Sequence, residues 1–286
     1  MKKGTKSIGI IFLAILIGFT FITCDPEGDA CTHTAGAAAT CSTAQTCTKC
    51  SGVIQAALGH QTIDWSTYVP TTGHVSCDRS GCTGGFAKIG DAGQAGGIIF
   101  YVDKNGFKLY QGTNNTLASD TYITVYYLEA WTESVPSIRW SWANQPTWSP
   151  DEYTDVPLVQ QAHDTGNPTQ WIGYGLRNTR LIISAMNAMV SPNNEDTLRG
   201  DRAVHVASTT KGGKDDWFLP SVDELNVMYI ASTEPNSVSG LPTSGWHWSS
   251  SQVYVEHAWD QCFDFGYMVS NVGKSYPYDV RAVRAF

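Results

Sequence analysis

Cysteine and histidine are the residues in this chain whose spacing could do chemistry. Cys47-x-x-Cys50 and Cys77-x4-Cys82 have the separation of two tetrahedral zinc half-sites, with His60 and His74 between them. Joined by Cys31 and Cys41, the same thiols could close three bridges instead. An exported chain meets an oxidising compartment, so disulfides come first and zinc on Cys47, Cys50, Cys77 and Cys82 is the alternative. Either would staple a segment too poor in apolar side chains to hold itself together. Further along, Gly90, Gly93, Gly96 and Gly97 lie close enough for a phosphate loop. Such a loop needs a helix start after it, and an apolar strand follows here, so these glycines read as structural. His163 with Asp164, and His205, stand beside no nucleophile elbow or metal-ligand spacing. The chain therefore reads as a non-enzyme that carries no cofactor.

The elements that would position these residues begin after a leader. Lys2, Lys3 and Lys6 precede an apolar run over residues 8–21 that is too short for a comfortable membrane span. The run closes on Phe21-Ile22-Thr23-Cys24, which resembles a relaxed bacterial lipobox of the spirochaete kind. That resemblance makes Cys24 the lipidated N-terminus and puts the protein on the cell envelope, lipid-anchored and facing outward. Residues 1–23 hold three lysines and no acid, so their removal takes the formal charge from −8 to −11. A chain this acidic, without basic runs, excludes nucleic acid as a partner.

Residues 24–85 read as a Cys-rich stalk without sustained period, and residues 86–286 as the globular body. The body opens on GDAGQAGGIIFYVDKNGFKLY: a Gly-rich entry, a strand over 98–102, an Asn105-Gly106 turn and a second strand, which together predict a hairpin. Residues 113–157, with Trp131, Trp140, Trp142 and Trp148, show no period and read as an insertion packed on the body. Apolar spacing predicts a helix over 176–190, stopped by Pro192. A second helix starts at Ser221-Val222-Asp223-Glu224, where Ser221 and Glu224 can satisfy each other's free amides as a capping box. Short strands make up the rest, so the fold class is α+β. With ten Trp, thirteen Tyr and ten Phe in a chain only 15% charged, the loops have the composition of a binding surface.

WFLPSVDEL, residues 217–225, followed by WSSSQ, AW and VRAVRAF, resembles the bacterial C-type lectin-like domains related to formylglycine-generating enzymes. There a Trp-x-Leu-Pro phrase leads into a helix, a Trp-Ser-Ser phrase opens the last sheet segment, and an Arg-x-Val-Arg phrase forms the closing strand. The resemblance covers residues 86–286. Those relatives use paired cysteines for oxygen chemistry, whereas this body holds Cys262 alone. Glu234-Pro235-Asn236 matches the calcium tripeptide of sugar-binding C-type lectins, but the Trp-Asn-Asp phrase that completes the cage is replaced by Trp259-Asp260-Gln261, so a turn is the expected role.

The ending, residues 246–286, is similar to the variable regions of proteins diversified by a retroelement that randomises template adenines. A randomised Asn codon never yields Trp, Gln, Lys, Glu or Met. Trp248, Gln252, Trp259, Gln261 and Lys274 then belong to the fixed text, joined by Arg281 and Arg284 of the closing phrase, with Ala258, Phe263, Val280, Val283 and Phe286 suited to a core. The ligand-binding letters would be His247, Val253, Tyr254, Val255, His257, Asp260, Cys262, Asp264, Phe265, Tyr267, Val269, Ser270, Asn271, Val272, Tyr276, Tyr278 and Asp279. Glu256 and Met268 fall outside the rule. Tyr254, Tyr267, Tyr276 and Tyr278 would anchor an external protein, while His247, His257, Asp260 and Asp264 supply polar specificity on a surface where substitution costs little. Cys262, a lone late cysteine, suits random substitution, although pairing with an N-terminal cysteine stays open. The competing expectation is an envelope lipoprotein that is not diversified and is structural or carbohydrate-binding.

Overall fold

The computed structural model describes residues 35–39, 44–46, 48, 53–55, 62–78, 84–112, 120–140, 159, 161, 167, 169–188, 202–233 and 237–286. The chain divides into two compact units, Met1–Gly59 and His60–Phe286. In the first, β1 (Gln45–Thr46) pairs antiparallel with β2 (Val53–Gln55), and the Gln45 side chain donates to the Gly36 carbonyl at 3.1 Å.

The second unit is mostly β-sheet with a few helices. A hairpin of β3 (Ile63–Val69) and β4 (His74–Cys77) precedes the long strand β5 (Ile98–Tyr110), then β6 (Tyr122–Ala130) and β7 (Val135–Ile138). Helices α1 (Gly175–Ala188), α2 (Ala203–Ala207) and α3 (Val222–Ser232) follow, and the chain finishes with β8 (Trp246–Gln252), β9 (His257–Cys262), β10 (Met268–Gly273), β11 (Tyr278–Val280) and β12 (Val283–Ala285). β12, β6 and β5 form one sheet in that order, β10, β9, β8, β11 and β7 form a second, and β3 pairs with β4 alone. The fold is α+β, mainly β.

The second compact unit begins at His60, ahead of Phe86. Trp65 and Tyr68 on β3 meet the Phe286 ring edge-on at 5.1 and 5.7 Å, and Phe286 stacks on Tyr127 at 5.2 Å. Tyr127 donates its hydroxyl to the Gly73 carbonyl at 2.6 Å, and Tyr126 to the Thr71 carbonyl at 2.7 Å. Gly73 takes φ 68°, and a Cβ there would lie 2.4 Å from the Tyr126 ring, so the turn of this hairpin needs glycine. These aromatics sit in a Thr- and Ser-rich stretch without period, and their partners lie more than fifty residues away.

Two further expectations change. Residues 98–110 form one continuous strand instead of a hairpin: β5 pairs throughout with β6. Val102 faces Tyr127 and Phe107 faces Val125, so residues 103–106 bulge opposite Tyr126, with Gly106 at φ 78° and Asn105 N–H bonded to the Asp103 carboxylate at 2.8 Å. The Asn-Gly pair thus makes a bulge, which uses the same left-handed backbone as a turn. The stretch read as an insertion contains β6, whose last six residues are all buried. It lies between β12 and β5 with both faces covered, and a strand buried on both sides has no alternation to read. Trp142 and Trp148 lie outside the described residues.

The Gly-rich entry clasps a carboxylate of the protein itself. Ala95 N–H donates to both oxygens of Glu129 at 3.2 Å and Gly97 N–H to one at 3.1 Å. A Cβ on Gly93 would fall 2.1 Å from that carboxylate. Arg284 completes the arrangement, reaching Glu129 at 2.9 Å and Asp216 at 2.5 Å. The closing Arg-x-Val-Arg phrase therefore ties β12 to β6 through charge as well as through the ladder.

Both predicted helices form. α1 spans Gly175–Ala188, with Leu176, Leu181, Ile182 and Met186 buried, and its remaining predicted residues lie outside those described. α3 begins with the full capping box of Ser221 and Glu224. Glu224 also accepts from the Gly173 and Gly175 amides at the start of α1, at 2.8 and 3.4 Å. One carboxylate therefore closes the N-terminal ends of two helices.

Candidate ligand-binding face

β8 is the strand on which the face is built, and nearly all of it is buried. Its three serines act as short struts: Ser249 donates to the Trp259 carbonyl at 2.8 Å, Ser250 to the Pro220 carbonyl at 3.1 Å, and Ser251 to the Gln161 side chain at 2.6 Å. Small hydroxyls let the helix starts approach closely while each of the three keeps a partner. Side chains alternate along the strand. One face carries Trp246 and Trp248, and across the ladder from them lie Cys262 and Asp260 on β9. The opposite face carries His247, whose ring meets Phe263 at 4.7 Å in the core beneath α3.

The sheet order requires an unusual crossing. β10 is an edge strand, while β11 lies parallel to β8 on its far side, so residues 274–277 must pass from the end of β10 across β9 and β8. Lys274 fastens the start of that crossing. It is fully buried, with its ammonium 2.6 Å from Gln252 Oε1 and 4.3 Å above the Trp140 ring, which packs in the same core cluster as Trp248. Tyr276 and Tyr278 follow, 6.1 Å apart, with Tyr278 stacked on Trp246 at 5.8 Å and tilted over Trp248 at 4.9 Å.

Exposure sorts the ending. Of the fixed letters, Trp248, Gln252, Gln261, Lys274, Arg281 and Arg284 are buried, and half-buried Trp259 donates to the Gln161 carbonyl at 2.6 Å. Of the proposed binding letters, Tyr254 (62% exposed), Phe265 (72%), Tyr267 (64%) and Tyr276 (57%) stand out as large aromatics open to solvent, and Asp264 and Asn271 are exposed beside them. Tyr254, Asp264, Phe265, Tyr267 and Tyr276 occupy the three turns that link β8 to β9, β9 to β10 and β10 to β11, and Asn271 lies in β10. Val253, Val255, His257, Val269, Ser270, Val272, Tyr278 and Asp279 are half-buried. Val272 and Tyr278 lean on the core.

His247, Asp260 and Cys262 depart from the expectation that every variable letter lies on the surface: all three are buried. They lie within β8 and β9, two of the three inner strands of the five-stranded sheet. Cys262 is a free thiol rather than half of a bridge to the N-terminal cysteines. Cys77, at the end of β4, is likewise buried and free. Cys24, Cys47, Cys50, Cys82, His163, Asp164 and Glu234-Pro235-Asn236 lie outside the described residues. Among the described residues, no group of three or more His, Cys, Asp or Glu is placed to hold a metal ion, and no helix is long and apolar enough to cross a membrane.

Burial sets the electrostatics of the face. Asp260 is 1% exposed, and neither of its carboxylate oxygens has a hydrogen-bond partner. Its pKa is pushed up to about 8 by that burial. Tyr278 is close enough to feel it: burial first, and then the Asp260 charge, raise the phenol. His247 is pushed down to about 4 by burial and then by the Arg281 charge. Its Nε2 lies 3.0 Å from Ser134 Oγ, but Nδ1 has no partner. A serine paired with a histidine that no third group orients, and that titrates well below neutrality, is poorly equipped as a nucleophile.

Trp246 was not among the predicted site residues, although its place two positions before Trp248 puts both indoles on the Tyr278 side of a strand. Trp140 and Glu129 also escaped, since their partners Lys274 and Arg284 are distant in sequence. No protein-family model and no curated protein sequence matches the chain. Among solved structures it is similar to a fimbrial protein from Bacteroides ovatus, at 14% identity and a TM-score of 0.40, over 77% of this chain and 48% of that one. The chain thus spans about half the length of that fimbrial protein.

Proposed function

We propose that this protein is an envelope lipoprotein, anchored through Cys24, whose body is a C-type lectin-like domain that binds an external protein through a retroelement-diversified ending. In this reading it is a relative of treponeme variable protein A, displayed outward on the cell surface. The supporting observation is the coincidence of two independent sortings. Of the letters in residues 246–286 that an adenine-randomised Asn codon cannot write, Trp248, Gln252, Gln261 and Lys274 are buried and Trp246, Glu256, Trp259 and Met268 half-buried, so none is exposed, whereas the large aromatics among those it can write, Tyr254, Phe265, Tyr267 and Tyr276, crowd the turns at the surface. Rigid aromatics with adaptable Ser, Asn and His around them form the surface chemistry of a paratope. A patch of this kind on a folded protein marks an interaction site.

The test is genetic. Sequencing the DNA around the gene should find a second copy of the segment that encodes residues 246–286, differing only where that copy has adenine, beside a reverse transcriptase gene. Absence of such a copy would return the ending to an ordinary β-meander and the body to a fixed structural or glycan-binding role.

A further inference from the structure

Asp260 is an anomaly that the fold does not use. A buried carboxylate ordinarily has hydrogen-bond donors or a cation to offset its desolvation. Glu129 and Glu224 in this same body each accept from backbone amides. Asp260 has neither, although it is 1% exposed. What surrounds it is aromatic: Trp248 lies across the ladder, Tyr278 tilts over Trp248 at 4.9 Å and stacks on Trp246 at 5.8 Å, and Tyr276 lies beyond at 6.1 Å with more than half its surface exposed. Aromatic rings gathered on the face of the sheet that carries a lone carboxylate suit a cation, because the ring faces and the carboxylate attract the same charge.

The body already houses one cation in this manner. Lys274 is fully buried with its ammonium over the Trp140 ring and against the Gln252 oxygen. The wider field agrees: besides Asp260, residues 246–280 hold Glu256, Asp264 and Asp279 against Lys274, whose charge is taken up internally. Such a surface steers positive groups toward itself.

We infer that Asp260, beneath Trp246, Trp248 and Tyr278, is the floor of a subsite for a primary ammonium or guanidinium group, so that the protein ligand of this face enters with a lysine or arginine side chain past Tyr276. The subsite rests on the reading of this ending as the binding face and specifies which chemistry that face selects. Arriving charge would favour the ionised carboxylate, and the ligand's methylene stem would lie along the rings.

The test uses the full chain with two probes, Nα-acetyl-lysine methylamide and its uncharged counterpart Nα-acetyl-norleucine methylamide, titrated at mildly alkaline pH and followed by indole fluorescence and calorimetry. The lysine probe should bind at least about tenfold more tightly than the norleucine probe, and Asp260→Asn should remove that preference by a similar factor. Thermal unfolding of the variant checks that it folds, as the loss of an unpartnered buried charge should allow. Equal binding of both probes overturns the cation subsite and leaves the aromatic face standing. Binding of neither also overturns it, and the face then depends on the genetic test alone. Preference unchanged in Asp260→Asn overturns the assignment to this carboxylate.

Discussion

Asp260 and His247 lie on neighbouring strands with their side chains on opposite faces, and burial moves them in opposite directions. Burial pushes the Asp260 carboxyl up to about 8 in the folded state from an ordinary 3.8, so its contribution to stability is lost as pH rises through that window. His247 titrates near 4 when folded against 6.5, so its contribution is present above 6.5 and lost as pH falls toward 4. Glu224, raised to about 7, adds to the Asp260 slope below neutrality. Between about pH 7 and 8, Asp260 is the main one of these three still titrating. Wild-type stability, measured by urea unfolding, should fall across that interval by at most about 1.4 kcal/mol per pH unit, and Asp260→Asn should flatten the curve. A slope that persists in the variant would place the titration elsewhere. Neither behaviour is legible in the sequence. His247 and Asp260 look like their exposed neighbours Asp264 and Asn271, and only the position of β8 and β9 inside a five-stranded sheet separates them.

At the scale of elements, the buried Lys274 side chain fastens the crossing from β10 to β11. Lys274→Met keeps the apolar stem and removes the ammonium, leaving Gln252 Oε1 and the Trp140 face without it. The expected outcome is a loss of about 2–4 kcal/mol in unfolding free energy, with hydrogen exchange quickened in residues 274–277 well beyond the change in β8. Uniform quickening would mean that Lys274 serves the whole sheet and not the crossing. The elements that sequence made legible carry their own punctuation: α3 has a capping box whose two partners are three residues apart, and α1 has an apolar face. β6 has no such local mark, because both its faces are covered and its neighbours in the sheet are β12 and β5. Asn105-Gly106 was read as a turn and is a bulge, since left-handed backbone serves both and only the partner strand decides between them.

For the whole molecule, the boundary at His60 separates two outcomes of truncation. A fragment of residues 60–286 should unfold in one cooperative transition close to that of the full body. A fragment beginning at residue 86 loses Trp65 and Tyr68 from the Tyr127–Phe286 cluster, and should melt at least about 5 °C lower and bind a hydrophobic dye. Equal melting of the two would return residues 60–85 to the stalk. The three buried letters carry a consequence for populations rather than single molecules. If this ending is rewritten from cell to cell, new drafts are screened twice, first by Phe263, Trp248 and Trp246 against whatever arrives at positions 247, 260 and 262, and only then by any ligand. Attrition at the first screen would make the displayed repertoire smaller than codon arithmetic allows, with its limits drawn by the interior of the sheet.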